Sequence, residues 1–411
     1  MSSSTGSNEQ FDVIVIGAGP AGSTTAGLLA KEGNRVLVLE QSTFPRFKIG
    51  ESLLPAELPV FDALGFEPKG RFAYKAGADF LDEERGKFAR YNFCDALSGT
   101  RSHAYQVDRA RFDVDLAECA KRHGAEVRFD TKVDRVETDE AEARVHLGDG
   151  SLLRARYVVD ATGRERLLCR QHKSFERIEG FGMAAVWVHF DDLSDEAERE
   201  LHADGQGNIT ILILDKGWGW VIPLGNRRLS VGFVSAQKGV VSEAWWEERY
   251  AASPKLQRLT KGAKRSMTQV LGDYSFKNTV PAGVRWGCVG DARAFLDPVF
   301  SSGVAFAMDG AFHASKLLAP ALAEGRESDP TLLAPLAEKM NHAYRVFGAL
   351  IHSFYHTKII DHIFFYEDPD PELRSGLISV LAGDVWRQDN KFQEMLLRSE
   401  RRMERRMSAS A

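Results

Sequence analysis

The sequence predicts an α/β protein. A domain of alternating strands and helices on a parallel sheet is interrupted by a mostly antiparallel sheet and followed by a helical region. Three observations lead there. Near the N-terminus a glycine-rich turn joins an apolar β-branched run to a helix of small residues. From about Gly180 to Val234, runs of aromatic and β-branched residues alternate with few helix signals. Residues 326–411 read as helices.

Taken in order, Phe11–Ile16 (FDVIVI) reads as a strand buried on both faces. Ala21–Ala30 reads as a helix, and Arg35–Leu39 as a second strand ending at Glu40, which completes a βαβ unit. A short strand is expected at Ala78–Leu81, a helix over Arg109–His123, and strands at Glu126–Phe129, Arg144–Leu147 and Leu152–Val159, the last running into VVDATG. The middle region contributes MAAVWVHF, NITILIL, WGWVIPL and LSVGFV. Trp286–Ala292 reads as another core strand, leading through DPVFSSGV to a helix of small residues over Ala305–Leu318. An aromatic stretch, Phe347–Phe365, lies in the helical end, and no internal repeat is seen. The expected boundaries are 8–75, 105–170 and 270–325 for a discontinuous nucleotide-binding domain, 76–104 and 171–269 for a β-sheet substrate domain, and 326–411 for the helical region.

Composition narrows the function classes. The 411 residues allow two or three domains at roughly 150 residues each, enough to bury a core without disulfides or structural metal. With 44% hydrophobic and 27% charged residues the chain is neither disordered nor fibrous. Lys and Arg number 53 against 58 Asp and Glu, a net charge of −5 that points away from nucleic acid and anionic membranes. Cys94, Cys119, Cys169 and Cys288 are scattered, without a CxxC pair or a His cluster, so no metal site is expected and free thiols in a reducing cytoplasm are. MSSSTGSNEQ is not a secretory signal, and the uncharged run Val13–Ala30 is too broken by Gly, Pro, Ser and Thr for a membrane span.

The strongest motif is the GxGxxG of Gly17, Gly19 and Gly22, with Pro20 and Ala21 opening the helix. The first glycine permits the tight turn, the second lets backbone approach a pyrophosphate, and the third lets helix pack on strand. Glu40, at the end of the second strand, is placed to accept from ribose hydroxyls. Two later segments, Val158–Gly163 and Gly290-Asp291, each follow an apolar strand. Together these resemble the Rossmann-type FAD-binding fold shared by aromatic hydroxylases, geranylgeranyl reductases and flavin-dependent halogenases. Gln106-Val107-Asp108-Arg109 resembles a further segment of that superfamily, which implies that Arg109 lies near the cofactor.

Within the superfamily, Trp218-Gly219-Trp220-Val221-Ile222-Pro223 is similar to the WxWxIP motif of flavin-dependent halogenases, and Gly50-Glu51-Ser52 and Asp297–Val304 look like the same family. The resemblance runs along most of the chain and is nearest to halogenases of phenols and pyrroles. Geranylgeranyl reductases carry a related aromatic motif, so an FAD-dependent reductase or an aromatic hydroxylase stands as the alternative, and a non-catalytic flavoprotein as a third. Lys75 sits where the family places its essential lysine, between the GES segment and the next strand. Lys69 is the competing candidate.

The resemblance implies that FADH2 and oxygen give a flavin hydroperoxide, that chloride or bromide attacks it to form hypohalous acid, and that the lysine presents halogen to an electron-rich ring. It also implies a halide site at Ser302 and Gly303, on a helix N-terminus. Trp218, Trp220, Ile222 and Pro223 would fill the space between flavin and substrate. No nicotinamide site is evident, which implies a separate flavin reductase. Tryptophan halogenases carry a glutamate where this chain has Phe300, so Phe300 is a substrate-pocket candidate, and a phenol or pyrrole, free or carrier-tethered, fits better than tryptophan. The basic end (Arg398, Arg401, Arg402, Arg405, Arg406) could meet an acidic carrier, although such a run is more often a solvated helix face.

Overall fold

Along Val13–Ile16 the side chains alternate between two apolar clusters, Val13 and Val15 in one and Ile14 and Ile16 in the other, which Phe11 at the start of the strand also joins. A strand buried on both faces belongs at the centre of a sheet, and this one lies there. In the computed structural model, which describes residues 9–410 without residues 179, 182 and 183 and without the side chains of 204 and 402–410, it pairs in parallel with Val36–Leu39 on one side and Leu152–Asp160 on the other. Glu126–Arg128 and Trp286–Cys288 extend the parallel order at the two ends, and Ala282–Gly283 adds an antiparallel edge. The helices Pro20–Lys31, Arg109–Arg122 and Ser302–Glu324 pack together over the Val13 face. The hairpin Val133–Thr138 and Ala143–Leu147 contributes Val133, Val136 and Val145 to the opposite face.

The second sheet has eight strands, with Ala184–Asp191, Arg228–Ser235, Gly217–Gly225 and Ile209–Leu214 at its centre. Its pairs are antiparallel except one: Ile209–Leu214 runs parallel to Gly77–Asp82, which in turn pairs with Lys87–Asn92. Strand alternation again sorts the two faces. Val186, Val188, Val221 and Phe233 pack under the helix Glu243–Ala252, while Trp187, Trp218, Trp220 and Ile222 face the large core shared with the first sheet's helices.

The expected α/β class is therefore what the chain adopts, with the helices Ala334–His356, Pro371–Leu381 and Lys391–Ser410 at its end. Two boundaries differ from the sequence reading, and one stretch divides where the sequence set no boundary. The expected strand Trp286–Ala292 is a strand only to Cys288 and then a turn, because Gly290 takes a φ of 60° against the helix Pro20–Lys31. The helix expected over Ala305–Leu318 runs from Ser302 to Glu324 and stops where Gly325 turns left-handed. The aromatic stretch Phe347–Phe365 is not one helix: it breaks after His356 and resumes as a five-residue π-helix, Ile360–Phe364. Met183 and the side chains of Arg402, Arg405 and Arg406, named above, lie outside the described residues.

Candidate active site

The nucleotide end is built by the glycine turn. Gly17 has φ 103°, and a Cβ there would lie 2.5 Å from the Ala161 carbonyl oxygen; a Cβ at Gly22 would lie 1.8 Å from that of Gly17. Gly19 caps the helix Pro20–Lys31 without a side-chain bond, and the first turn carries no acid, so its free amides would meet an anion unopposed. Glu40 is buried and accepts the Ala18 amide (2.9 Å) through Oε2 and the Ser42 amide (3.0 Å) through Oε1, which orients both oxygens and leaves lone pairs for hydroxyls.

Sequence reasoning missed a second arginine. Arg46 donates to Asp113 Oδ2 (2.8 Å), stands 3.7 Å from Glu40 and 3.7 Å from where a Gly19 Cβ would be, and its buried Nε has no partner. Arg109 shares Asp113 through Nε (2.9 Å) and Nη2 (3.1 Å) and donates through Nη1 to the Ile49 carbonyl (2.7 Å). One carboxylate thus gathers two cations beside the glycine turn. Nothing local in FPRF signals this, because Asp113 lies 67 positions away.

A small cleft follows, lined among others by Gly290, Asp291, Phe295, Ser302, Gly303 and Tyr344. Burial pushes the Asp291 carboxyl up to about 6, opposed by Arg109, Arg164 and Lys48. Ser302 begins the long helix with no side-chain cap at Ser301, so amide donors point at the cleft. The glycine cradle, the uncapped amides and the unpartnered Arg46 nitrogen fit the chemistry of a dinucleotide such as FAD, whose phosphates would call for cations and amides and whose ribose would call for an acceptor such as Glu40.

One segment links this end to the lysine. Arg109 holds Ile49, Val107 donates its amide to the Glu51 carbonyl (2.7 Å), and Lys75 Nζ donates to Ser52 Oγ (2.8 Å) and the Leu53 carbonyl (2.7 Å). Lys75 ends the short strand Ala73–Lys75, is only 1% exposed, and has its ammonium 5.4 Å from the Phe93 ring centroid. Burial lowers its pKa to about 7, with Glu57 opposing the shift. Lys69 is exposed, so of the two candidate lysines only Lys75 is enclosed. Glu51 itself bonds His189 Nε2 (2.7 Å), a buried pair spanning 138 positions that the sequence reading did not find.

Trp218 and Trp220 lie on one face of their strand, ring centroids 5.7 Å apart, with Trp220 Nε1 on Ser230 Oγ (3.0 Å) and Trp218 Nε1 on the Tyr355 hydroxyl (2.8 Å). Ile222 shares that face, and Pro223 sits where the register shifts toward Gly225, as a residue without an N–H should. Phe300 is buried, its ring 5.6 Å from Phe354 and stacked 6.3 Å from Phe364, so the position sits within an aromatic cluster. Among the described residues, no three His, Cys, Asp or Glu side chains are grouped to hold a metal, and no helix is long and apolar enough to cross a membrane.

A family model described as tryptophan halogenase matches residues 12–101 and 83–394. The chain is 29% identical to the 1H-pyrrole-2-carbonyl-[peptidyl-carrier protein] chlorinase of Pseudomonas fluorescens, over 92% of this chain and 90% of that one. Among solved structures it superposes on the flavin-dependent brominase Bmp2 with a TM-score of 0.84 at 27% identity, covering 97% of this chain and 100% of that one. A flavoprotein/dehydrogenase from Cytophaga hutchinsonii superposes with a TM-score of 0.85 at 29% identity, covering 95% and 96%.

Proposed function

The chain belongs to the tryptophan-halogenase family, whose members are flavin-dependent halogenases, and from that premise we propose that it halogenates an electron-rich pyrrole or phenol with Lys75 presenting the halogen. The observation that carries this is the enclosure of Lys75: its ammonium is buried and tied to Ser52 and Leu53, in the same segment that Arg109 holds from the cofactor side.

Gly17, Gly19, Pro20, Ala21 and Gly22 at the glycine turn, Glu40 for the ribose, and Arg109, Arg46, Gly290 and Asp291 along the cleft would hold FAD. When bound and reduced, it supplies with oxygen the oxidant that converts chloride or bromide to hypohalous acid. The amides at Ser302 and Gly303 hold the halide. Lys75 then donates a hydrogen bond to the oxygen of the hypohalous acid, which polarises the O–X bond. The ring carbon takes the halogen, the hydroxyl leaves with the ring proton as water, and ArH + HOX becomes ArX + H2O. Trp218, Trp220, Ile222 and Pro223 form the wall that separates cofactor from substrate, and Phe300 borders the ring.

The similar chlorinase acts on a carrier-tethered pyrrole, so a pyrrolyl group on an acidic carrier protein is the substrate form we favour. A separate flavin reductase delivers FADH2, and the enzyme works in the cytoplasm. We also keep the division at 8–75, 105–170 and 270–325, 76–104 and 171–269, and 326–411 as cofactor, substrate and helical parts. The test is incubation with a flavin reductase, FAD, NADH and bromide and a panel of free and carrier-tethered pyrroles and phenols, read by mass spectrometry. Brominated product is expected. Reduction of a prenyl double bond in place of halogenation overturns the proposal.

A further inference from the structure

Glu51 and His189 meet where the segment that Lys75 holds touches the second sheet. Both are buried, and His189 Nε2 donates to Glu51 Oε1 (2.7 Å). The other carboxylate oxygen, Oε2, is buried without a hydrogen-bond partner. A buried carboxylate with one oxygen unmet costs stability that apolar packing of the same volume would not. The pair therefore calls for a reason other than stability.

Each partner belongs to a different part of the proposed site. On one side, Glu51 heads the run Glu51–Leu53. Its carbonyl accepts the Val107 amide (2.7 Å), Ser52 bridges to Gln106, and the Leu53 amide donates to the Tyr105 carbonyl (2.9 Å). The strand Ala104–Gln106 also pairs with Ala73–Lys75, and Lys75 Nζ reaches across to Ser52 Oγ and the Leu53 carbonyl. The residue bonded to His189 is thus the direct neighbour of the residue bonded to Lys75.

On the other side, His189 lies two positions beyond Trp187 on the strand Ala184–Asp191, so both side chains leave the same face of the sheet. The Trp187 ring stands 6.4 Å from that of Trp220, on the tryptophan strand. Ser266 fixes the His189 backbone: its Oγ accepts the His189 amide (2.8 Å) and its amide donates to the His189 carbonyl (2.8 Å). Phe47, just ahead of the run, packs its ring 5.2 Å from that of His189 and 6.0 Å from that of Trp187. The imidazole is anchored on the sheet side, and the carboxylate on the lysine side.

We propose that Glu51 and His189 are a positioning pair, whose bond holds the run that carries the partners of Lys75 in register with the tryptophan wall. This rests on the reading of Lys75 given above. Misplacing a reacting group by about 1 Å can cost roughly a hundredfold in rate. Loss of the bond leaves Lys75 present but misaligned, so hypohalous acid still forms and a larger share escapes unreacted.

The test compares His189→Leu, His189→Gln and Lys75→Met in the full chain, supplied with reductase, FAD, NADH, bromide and a phenol or pyrrole that the wild type brominates. Brominated product and hypobromous acid caught by an added scavenger are measured together. In His189→Leu the sum of the two should stay near wild type, while the ratio of product to trapped acid falls at least about tenfold. In His189→Gln the side-chain amide restores an N–H toward Glu51, and most of the ratio should return. A merely structural role lowers product and trapped acid together, so an unchanged ratio in His189→Leu overturns the proposal whatever the sum. An equal fall in His189→Gln also overturns it, because the donated hydrogen bond is then not what matters. If His189→Leu does not fold, His189→Asn, whose amide is too short to reach, takes its place with the same expectation. A wild-type ratio in Lys75→Met overturns the reading of Lys75 and this inference with it.

Discussion

At the scale of single residues, two lysines six positions apart separate cleanly once burial is known. Lys75→Met is expected to leave FAD affinity and oxygen consumption near wild type while product halogenation falls by orders of magnitude, each factor of ten being about 1.4 kcal/mol of transition-state stabilisation. Lys69→Ala is the matched control and should keep most activity, since Lys69 is exposed. Product analysis beside trapping of free hypohalous acid reads both; equal halogenation in the two variants removes Lys75 from the chemistry. Burial also gives Lys75 a stability signature. Its pKa in the fold is about 7 against 10.5 unfolded, so between those values the unfolded chain carries a proton that the native chain lacks. Stability from this group therefore rises with pH from about 7 to about 10.5. Thermal unfolding should show Lys75→Met gaining most relative to wild type near pH 7, with the gap closing by pH 10. Glu57, whose carboxyl is raised to about 8, has the opposite sign: its contribution falls as pH rises from 4.5 to about 8. A gap that widens with pH contradicts the buried-ammonium assignment.

At the scale of elements, the proposed cofactor site is made of helix starts and the turns before them. Glu40→Ala removes an acceptor held in place by the Ala18 and Ser42 amides, and FAD binding should weaken by roughly 1.5–3 kcal/mol, measured by fluorescence titration of the apoprotein. Unchanged affinity takes Glu40 out of the site. The helix Ser302–Glu324 makes a second claim. Its first amides have no side-chain cap and open on the cleft, so crystals soaked in bromide should show anomalous density beside Ser302 and Gly303. Density confined to distant surface positions at saturating bromide argues against a halide site there.

At the scale of the whole molecule, the second sheet, the cleft wall and the C-terminal helices are tied by one polar chain. Trp218 Nε1 donates to the Tyr355 hydroxyl, which donates to Asp297 (3.2 Å), and Asp297 holds the Val299 amide (3.0 Å) just before Phe300. Tyr355→Phe leaves a buried indole N–H unmet and should cost about 1–3 kcal/mol of stability, seen as a lower Tm. Because the same contact sets the Trp218 ring, product distribution across a substrate panel should change as well. An unaltered Tm shows that the three parts dock without this link.

The fold class, the nucleotide turn and the tryptophan strand were legible in the sequence because each is local. Glycine positions state which φ values and close approaches are needed, as at Gly17 and Gly22, and period-two alternation states which face of a strand is buried, as at Trp218, Trp220 and Ile222. The helix ends at Ser302 and Gly325 and the turn at Gly290 were blurred, since apolar small residues continue the pattern on both sides of the boundary. What only the tertiary structure decided are pairings across long sequence distances: Arg46 with Asp113, Glu51 with His189, and Lys75 with Ser52 and Leu53 in an enclosed place that Lys69 does not share. Propensity and pattern act over a few residues, whereas burial of a charge and the choice of its partner depend on which distant segments the sheets bring together.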